Sequence, residues 1–234
     1  MLKHGKLTPY LFILPMIIGL FVFRLAPVVV AIGASFTRWN IQAPPEILGF
    51  ANYAEAIGSD IFWQVSQNTL MFTVFFVPGV MILSLLMATM VNQKLKGIAF
   101  FRGLYFMPYI TAMVAVAMVW NWIFATRFGI LNYSLIKYLH ISNPPAWLAE
   151  KTWALVAIAI VAVWKAAGFQ MMIFLAGLQG IPKSLYEAAE IDGASKTAQF
   201  FRITVPLLSP VTFFVFIITV IDAFKTFDVT YAMT

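Results

Sequence analysis

FTVFFVPGVMILSLLMATMV, residues 72–91, decides the fold. Its apolar side chains cover every face of a helix, and about 20 such residues cross the hydrocarbon core of a bilayer. A barrel strand would be roughly half as long and would alternate apolar with polar residues. The segment therefore reads as a membrane-spanning helix, which satisfies its backbone polar groups internally. The whole chain agrees: 62% of its 234 residues are hydrophobic and 10% are charged, against about a quarter charged in soluble domains. A water-soluble domain of this length has no room to hide so much apolar surface.

Working outward, four more segments have the length and composition of spans. The five expected spans are about 8–36, 69–91, 104–124, 153–178 and 206–223. The class is all-α, a polytopic helical bundle forming one transmembrane domain over residues 1–234. The first segment carries Lys3 and Lys6 ahead of it, but it is too long for a cleaved leader and includes Arg24. Loops alternate in charge. Lys3, Lys6, Lys94, Lys96, Arg102, Lys183, Lys196 and Arg202 fall on one side, and Arg38, Arg127, Lys137 and Lys151 on the other. Basic residues favour the cytoplasm, which predicts a cytoplasmic N-terminus, cytoplasmic loops at 92–103 and 179–205, and external loops at 37–67 and 125–151. Trp39, Trp63, Trp147 and Trp153 lie near span ends on the external side, as an aromatic belt does.

The loop at 179–205 is polar between two apolar segments. Ser184-Leu185-Tyr186-Glu187 has capping-box spacing, with Pro182 just ahead and Gly193 placed to end a short helix over about 184–194. Leu185, Ala188, Ala189 and Asp192 are three and four apart and share a face, where two alanines permit close approach. Ser195 is placed to cap a second helix through Phe200, Phe201 and Arg202 up to Pro206.

Glu187-Ala188-Ala189-x3-Gly193-x9-Ile203-x-Val205-Pro206 resembles the EAA signature of inner-membrane subunits of ATP-binding-cassette (ABC) importers, with Val205 where Leu is usual. Further stretches resemble the carbohydrate-uptake branch, of the maltose, glycerol-phosphate and oligosaccharide permease type. They are Ser35-Phe36-Thr37-Arg38-Trp39-Asn40, Gly49-Phe50-Ala51-Asn52-Tyr53, Phe128-Gly129-Ile130-Leu131-Asn132, Trp147-Leu148, Val163-Trp164-Lys165 and the run from Leu175 to Pro182. The resemblance implies a pore-forming permease in a bacterial or archaeal inner membrane. Its implied partners are a second, usually different permease chain, two cytoplasmic ATPases and an extracellular or periplasmic solute-binding protein. Ser184, Glu187, Ala188, Ala189, Asp192 and Gly193 then form the contact with the ATPase. In the family, a stretch like Phe227-Asp228-x2-Tyr231-x2-Thr234 is followed by a sixth span, expected beyond the end of this chain.

Three ionisable residues fall inside or at the edges of spans: Arg24, Lys165 and Asp222. Such residues face a bundle interior or a water-filled path, because each costs about 2.5–3.5 kcal/mol at a helix centre. Lys165, beside Trp164 and Phe169, has two open readings. One places the three on a solute path with Asp222; the other pairs the lysine with a carboxylate or with helix-end carbonyls in a partner subunit. An ion-coupled secondary transporter using Lys165 and Asp222 is the alternative function.

Other chemistries are excluded. Gly177-x4-Pro182-Lys183-Ser184 misses the phosphate-loop pattern because proline removes an N–H and follows a membrane helix. There are no cysteines, and His4 and His140 lie on opposite sides, so no metal site is expected. No catalytic group, cofactor or nucleic-acid surface is expected either, and ATP hydrolysis belongs to a separate chain.

Overall fold

The computed structural model describes residues 8–40, 44–93, 96–226 and 228–233. Lys3, Lys6, Lys94, Phe227 and Thr234 lie outside the described residues. The chain divides into two compact units, Met1–Ser66 and Gln67–Thr234.

The first unit opens with α1 (Thr8–Leu20), which runs through a π-helical turn (Phe21–Leu25) into α2 (Ala26–Ser35). Pro9–Ser35 is long and apolar enough to cross a membrane, and the window that qualifies it has no buried residue. Beyond it, β1 (Thr37–Arg38) pairs antiparallel with β2 (Glu46–Ile47), a small strand pair in an otherwise helical chain. Two of the sequence stretches singled out above meet here. Asn52 Nδ2 donates to the carbonyls of Ser35 and Thr37, both at 2.9 Å. The Ser35 and Tyr53 hydroxyls share a hydrogen bond at 2.6 Å, and Phe36 packs edge-on against Phe50. Gly49 supplies the left-handed turn, φ +60°, that brings α3 (Ala51–Gly58) back onto the end of α2.

Helix α4 (Asp60–Val91) starts nine residues before the expected span, because its first turns, with Gln64, Ser66, Gln67 and Asn68, are helical without being apolar. In the second unit α4 packs beside α8 (Lys151–Gln179), whose face of Ala157, Val161, Ala162, Ala167, Met171, Phe174 and Leu175 is almost fully buried. Small residues set how close its neighbours come, as they do between membrane helices. A Cβ on Gly168 would lie 2.0 Å from the carbonyl oxygen of Tyr105, so only glycine admits α5 (Ile98–Ile110) at that point. Gly177 similarly meets Leu208 and Val211 at the start of α12 (Ser209–Phe224).

Among the described residues, three unbroken helices are long and apolar enough to cross a membrane: Pro9–Ser35, Asp60–Val91 and Lys151–Gln179. The other two expected spans are bent pairs. Ile98–Ile110 turns 95° into α6 (Met113–Ile123), and Lys196–Leu207 turns 65° into Ser209–Phe224. The span expected at 104–124 is therefore broken at its middle, and the one expected at 206–223 continues a helix that begins ten residues earlier. The count reaches five when each bent pair is one span. After α6, the segment to α8 contains α7 (Ile130–Leu139) and a buried staple at Asn132. That side chain accepts from Trp147 Nε1 at 2.7 Å and donates to the carbonyls of Thr126 and Pro145.

Candidate coupling loop and helix break

The loop helix α9 spans Lys183–Ile191. Its N-cap is Pro182, in extended backbone, and no side chain caps the turn. The capping box expected at Ser184 and Glu187 is therefore not formed. Proline fixes its own φ and the helix starts at the next residue, which puts Ser184 inside the first turn, away from the cap position. The far end is as the sequence predicts. Gly193 has φ +75°, its N–H donates to the Glu190 carbonyl at 3.0 Å, and Ala194 N–H donates to Ala189 at 2.8 Å. That pair of bonds is a Schellman ending, which needs a residue tolerant of positive φ.

Ser195 then caps α10 (Lys196–Gln199), its Oγ accepting from Ala198 N–H at 3.2 Å. The helix passes through a π-turn (Phe200–Thr204) into α11 (Val205–Leu207), so Pro206 lies within it and the break falls at Leu208. Side chains tie α9 to this return helix. Tyr186 packs against the core around Leu178, Ile181 and Leu208 and shares a 2.8 Å hydrogen bond with the buried Thr204. Buried Gln199 donates to the Ala194 carbonyl at 3.2 Å. On the surface Lys196 pairs with Glu190 and holds that carboxyl below the usual carboxylate range.

Because Tyr186 turns inward, the four residues expected to share one contact face differ in exposure. Leu185, Ala188 and Asp192 are exposed, whereas Ala189 is half-buried. Ser184 and Glu187 are exposed, and so is Ile191, at 88%. Ile191 was not singled out in the sequence. Its signal was present: one large apolar residue among charges, on the side of α9 opposite Tyr186.

The second constellation sits at the 95° break. Thr111 and Ala112 are extended, which ends α5 and starts α6 in a new direction. The last carbonyls of a helix have no partner within it. Here Thr111 Oγ1 donates to the Met107 carbonyl at 2.9 Å. Lys165 Nζ, from α8, donates to the carbonyls of Pro108, Tyr109 and Thr111 at 3.3, 3.1 and 2.7 Å. A positive charge at a helix C-terminus also meets the negative end of the helix dipole. Phe169 stacks on Tyr109 at 4.7 Å between ring centroids, and Trp164 meets Trp120 edge-on at 5.6 Å. Trp164 also lines a concavity of about 580 Å3 with Leu83, Met87, Leu104, Tyr105, Met107, Pro108 and Thr111.

Of the two readings left open for Lys165, the structure supplies helix-end carbonyls, and they belong to its own chain. It brings Trp164, Lys165 and Phe169 together. Asp222 stands apart near the end of α12, where its main-chain carbonyl accepts from Thr226 Oγ1 and Lys225 N–H. Lys165 meets no carboxylate, so the relay that an ion-coupled mechanism would need is not assembled among the described residues. No cluster suited to a metal occurs among them either.

The family described as "Binding-protein-dependent transport system inner membrane component" matches residues 80–234. The chain belongs to that family. It is therefore a multi-pass inner-membrane permease of binding-protein-dependent transport. A probable ABC transporter permease protein of Bacillus subtilis, YesP, is 35% identical across all of this chain and 75% of its own length. The trehalose/maltose transport system permease protein MalF of Thermococcus litoralis is 36% identical over 99% of this chain and 78% of its own. In fold, the permease resembles a chain of a bacterial ABC transporter involved in the import of alginate. The TM-score is 0.73 at 24% identity, covering 90% of this chain and 71% of that one.

For an ABC permease the two constellations have different standing. The EAA loop was found in the sequence by its spacing. The helix break was not: Lys165 stood out as a charge in an apolar helix, but its acceptors lie more than fifty residues away.

Proposed function

We propose that this chain is the pore-forming permease subunit of an ATP-driven importer for a sugar or related polar solute. The observation that carries the reading is similarity along the entire chain to permeases named for such solutes. Besides trehalose/maltose, they include lactose in Rhizobium radiobacter, at 34% identity over 99% of this chain. They also include sn-glycerol-3-phosphate in Agrobacterium fabrum, at 33% over 98%. In this reading a binding protein outside the membrane delivers the solute, two permease chains enclose its path, and two cytoplasmic ATPases drive the change of access. A structural relative was crystallised as an alginate ABC transporter with an alginate-bound periplasmic protein, which supports such an assembly.

Helix α9 is the piece offered to the ATPase, with Ser184, Glu187, Ala188, Ile191 and Asp192 on its exposed side, Ala189 behind them and Gly193 closing it. The bonds from Tyr186 to Thr204 and from Gln199 to Ala194 tie α9 to the return helix and give that contact a stiff route to α12. The concavity beside Trp164 is the candidate solute path. Lys165 and Phe169 shape its wall through Pro108 to Thr111, and Asp222, which stands apart from them on α12, is the remaining candidate for the solute path. The N-terminus and the 179–205 loop face the cytoplasm.

The test is uptake by proteoliposomes holding the permease with its cognate ATPases, partner permease and binding protein. The panel is radiolabelled disaccharides, oligosaccharides and glycerol 3-phosphate. Accumulation of one of them that needs ATP and survives ionophores is expected. Accumulation that ignores ATP and collapses with the ion gradient would replace this reading with the ion-coupled one. Orientation is checked separately: Lys196→Cys, in this cysteine-free chain, is expected to resist an impermeant thiol reagent in intact cells.

A further inference from the structure

We propose that the carbonyls of Pro108, Tyr109 and Thr111 form a monovalent-cation site at the break between α5 and α6, which the chain fills with its own Lys165 ammonium. The inference does not depend on which solute is carried or on the ATPase contact.

The geometry fits the chemistry. A lysine ammonium has three N–H donors and no acceptor, and all three find carbonyl oxygens at 2.7 to 3.3 Å. The acceptors are the exposed main-chain groups of a helix that stops inside an apolar segment, where an unpaired carbonyl is costly. Broken membrane helices present such carbonyls, with the negative end of the helix dipole behind them, as ligands for small cations. Thr111 contributes twice, its hydroxyl to Met107 and its carbonyl to Lys165, so the break itself builds the third ligand.

The surroundings hold the site in register. Gly168, one turn beyond Lys165, lets α5 approach until a Cβ there would strike the Tyr105 carbonyl. The Phe169 ring stacks on Tyr109, whose carbonyl is one of the ligands. Lys165 is thus a positioning residue. It fixes the direction in which α6 leaves the break, and with it the concavity lined by Pro108 and Thr111.

A tethered cation makes a prediction that a merely packed side chain does not. Cutting Lys165 back to alanine leaves three carbonyls around a space that a small primary ammonium can enter. The reporter is Val116→Cys on α6, a position 4% exposed in a chain with no other cysteine. The full permease, co-expressed with its partner subunits, is assayed in membrane vesicles for its rate of reaction with N-ethylmaleimide.

With Lys165 present the thiol reacts slowly. Lys165→Met keeps the stem without the charge and is expected to speed the reaction about tenfold, as losing a hydrogen bond to a charged group does. Lys165→Ala is expected to react as fast, to be slowed again by millimolar ethylammonium, and to be unaffected by tetraethylammonium at the same concentration. A native rate in Lys165→Met overturns the proposal, as does an equal response to both ammonium ions. Where Lys165→Ala is degraded, membrane yields decide: Lys165→Arg well above Lys165→Met supports the cation site, and equal yields contradict it.

Discussion

Two helix breaks organise this permease, and they are built in opposite ways. The break at Leu208, between α11 and α12, follows a loop made of local signals. Gly193 ends one helix, Ser195 starts the next, and Tyr186 and Gln199 tie the two within twenty residues of sequence. The break at Thr111 and Ala112 has little local support: Pro108 and the Thr111 hydroxyl are its own contributions. Its carbonyls are held by Lys165, and Gly168 sets the helix spacing, both from α8. The first draws its hydrogen bonds from residues close in sequence, although Leu208 itself packs against Gly177 of α8. The second exists only once two helices have packed, so its integrity reports on the bundle.

That contrast ranks the expected damage. Gly168→Leu should be the most severe change, because even a Cβ meets the Tyr105 carbonyl at 2.0 Å and the obstacle is backbone. Overpacking of this kind costs about 1–3 kcal/mol and occasionally more. Monodisperse protein in detergent is expected to be lost. A native elution profile and thermal midpoint would show that α5 and α8 are not so closely apposed.

Gly193→Val comes next. A β-branched residue at φ +75° costs about 1–2 kcal/mol of backbone strain. Its effect should stay local: α9 frays and less ATPase is recovered with the permease, while the membrane spans insert normally. Equal loss of insertion and of ATPase recovery would erase the distinction between the two breaks.

Tyr186→Phe and Thr204→Val each remove one hydroxyl from a shared bond and should cost about 1 kcal/mol. The double variant is expected to be no worse than the poorer single one by thermal unfolding in detergent, whereas additive losses would mean that the two hydroxyls act separately. The smallest effect belongs to Glu190. Its carboxyl is held low by Lys196, so the pair's contribution is present above the ordinary carboxylate range and fades as pH falls through the lowered value. Both partners are exposed, and such pairs contribute little. Glu190→Gln should leave the unfolding midpoint unchanged from pH 4 to 7, within about the resolution of the melt.

What the sequence revealed follows the same division. Membrane spans, charge asymmetry, the glycine ending α9 and the serine starting α10 are set by neighbours a few residues away, and each is visible in the chain. Ser184 misled because a serine three before a glutamate fits a cap, yet Pro182 starts the helix two residues earlier than that reading requires. Ala189 looked equivalent to Ala188, but the inward packing of Tyr186 sets α9 so that Ala188 is exposed and Ala189 half-buried. The break at Thr111 was hidden for a different reason. Only Pro108 and Thr111 mark it locally, and the largely apolar run through residue 124 reads as one straight span. Lys165 was conspicuous by its charge, whereas its partners were fixed only by tertiary packing.

The central claim is that the exposed side of α9 joins this permease to its ATPase. The most direct test is recovery of the ATPase with Ala188→Trp in mild detergent, measured beside wild type and beside Ala189→Trp. Ala188 is exposed and its substitution should spare the fold, so the account predicts an inserted, monodisperse permease that has lost its ATPase. Undiminished ATPase recovery with Ala188→Trp, in a permease that still drives ATP-dependent uptake, would contradict it.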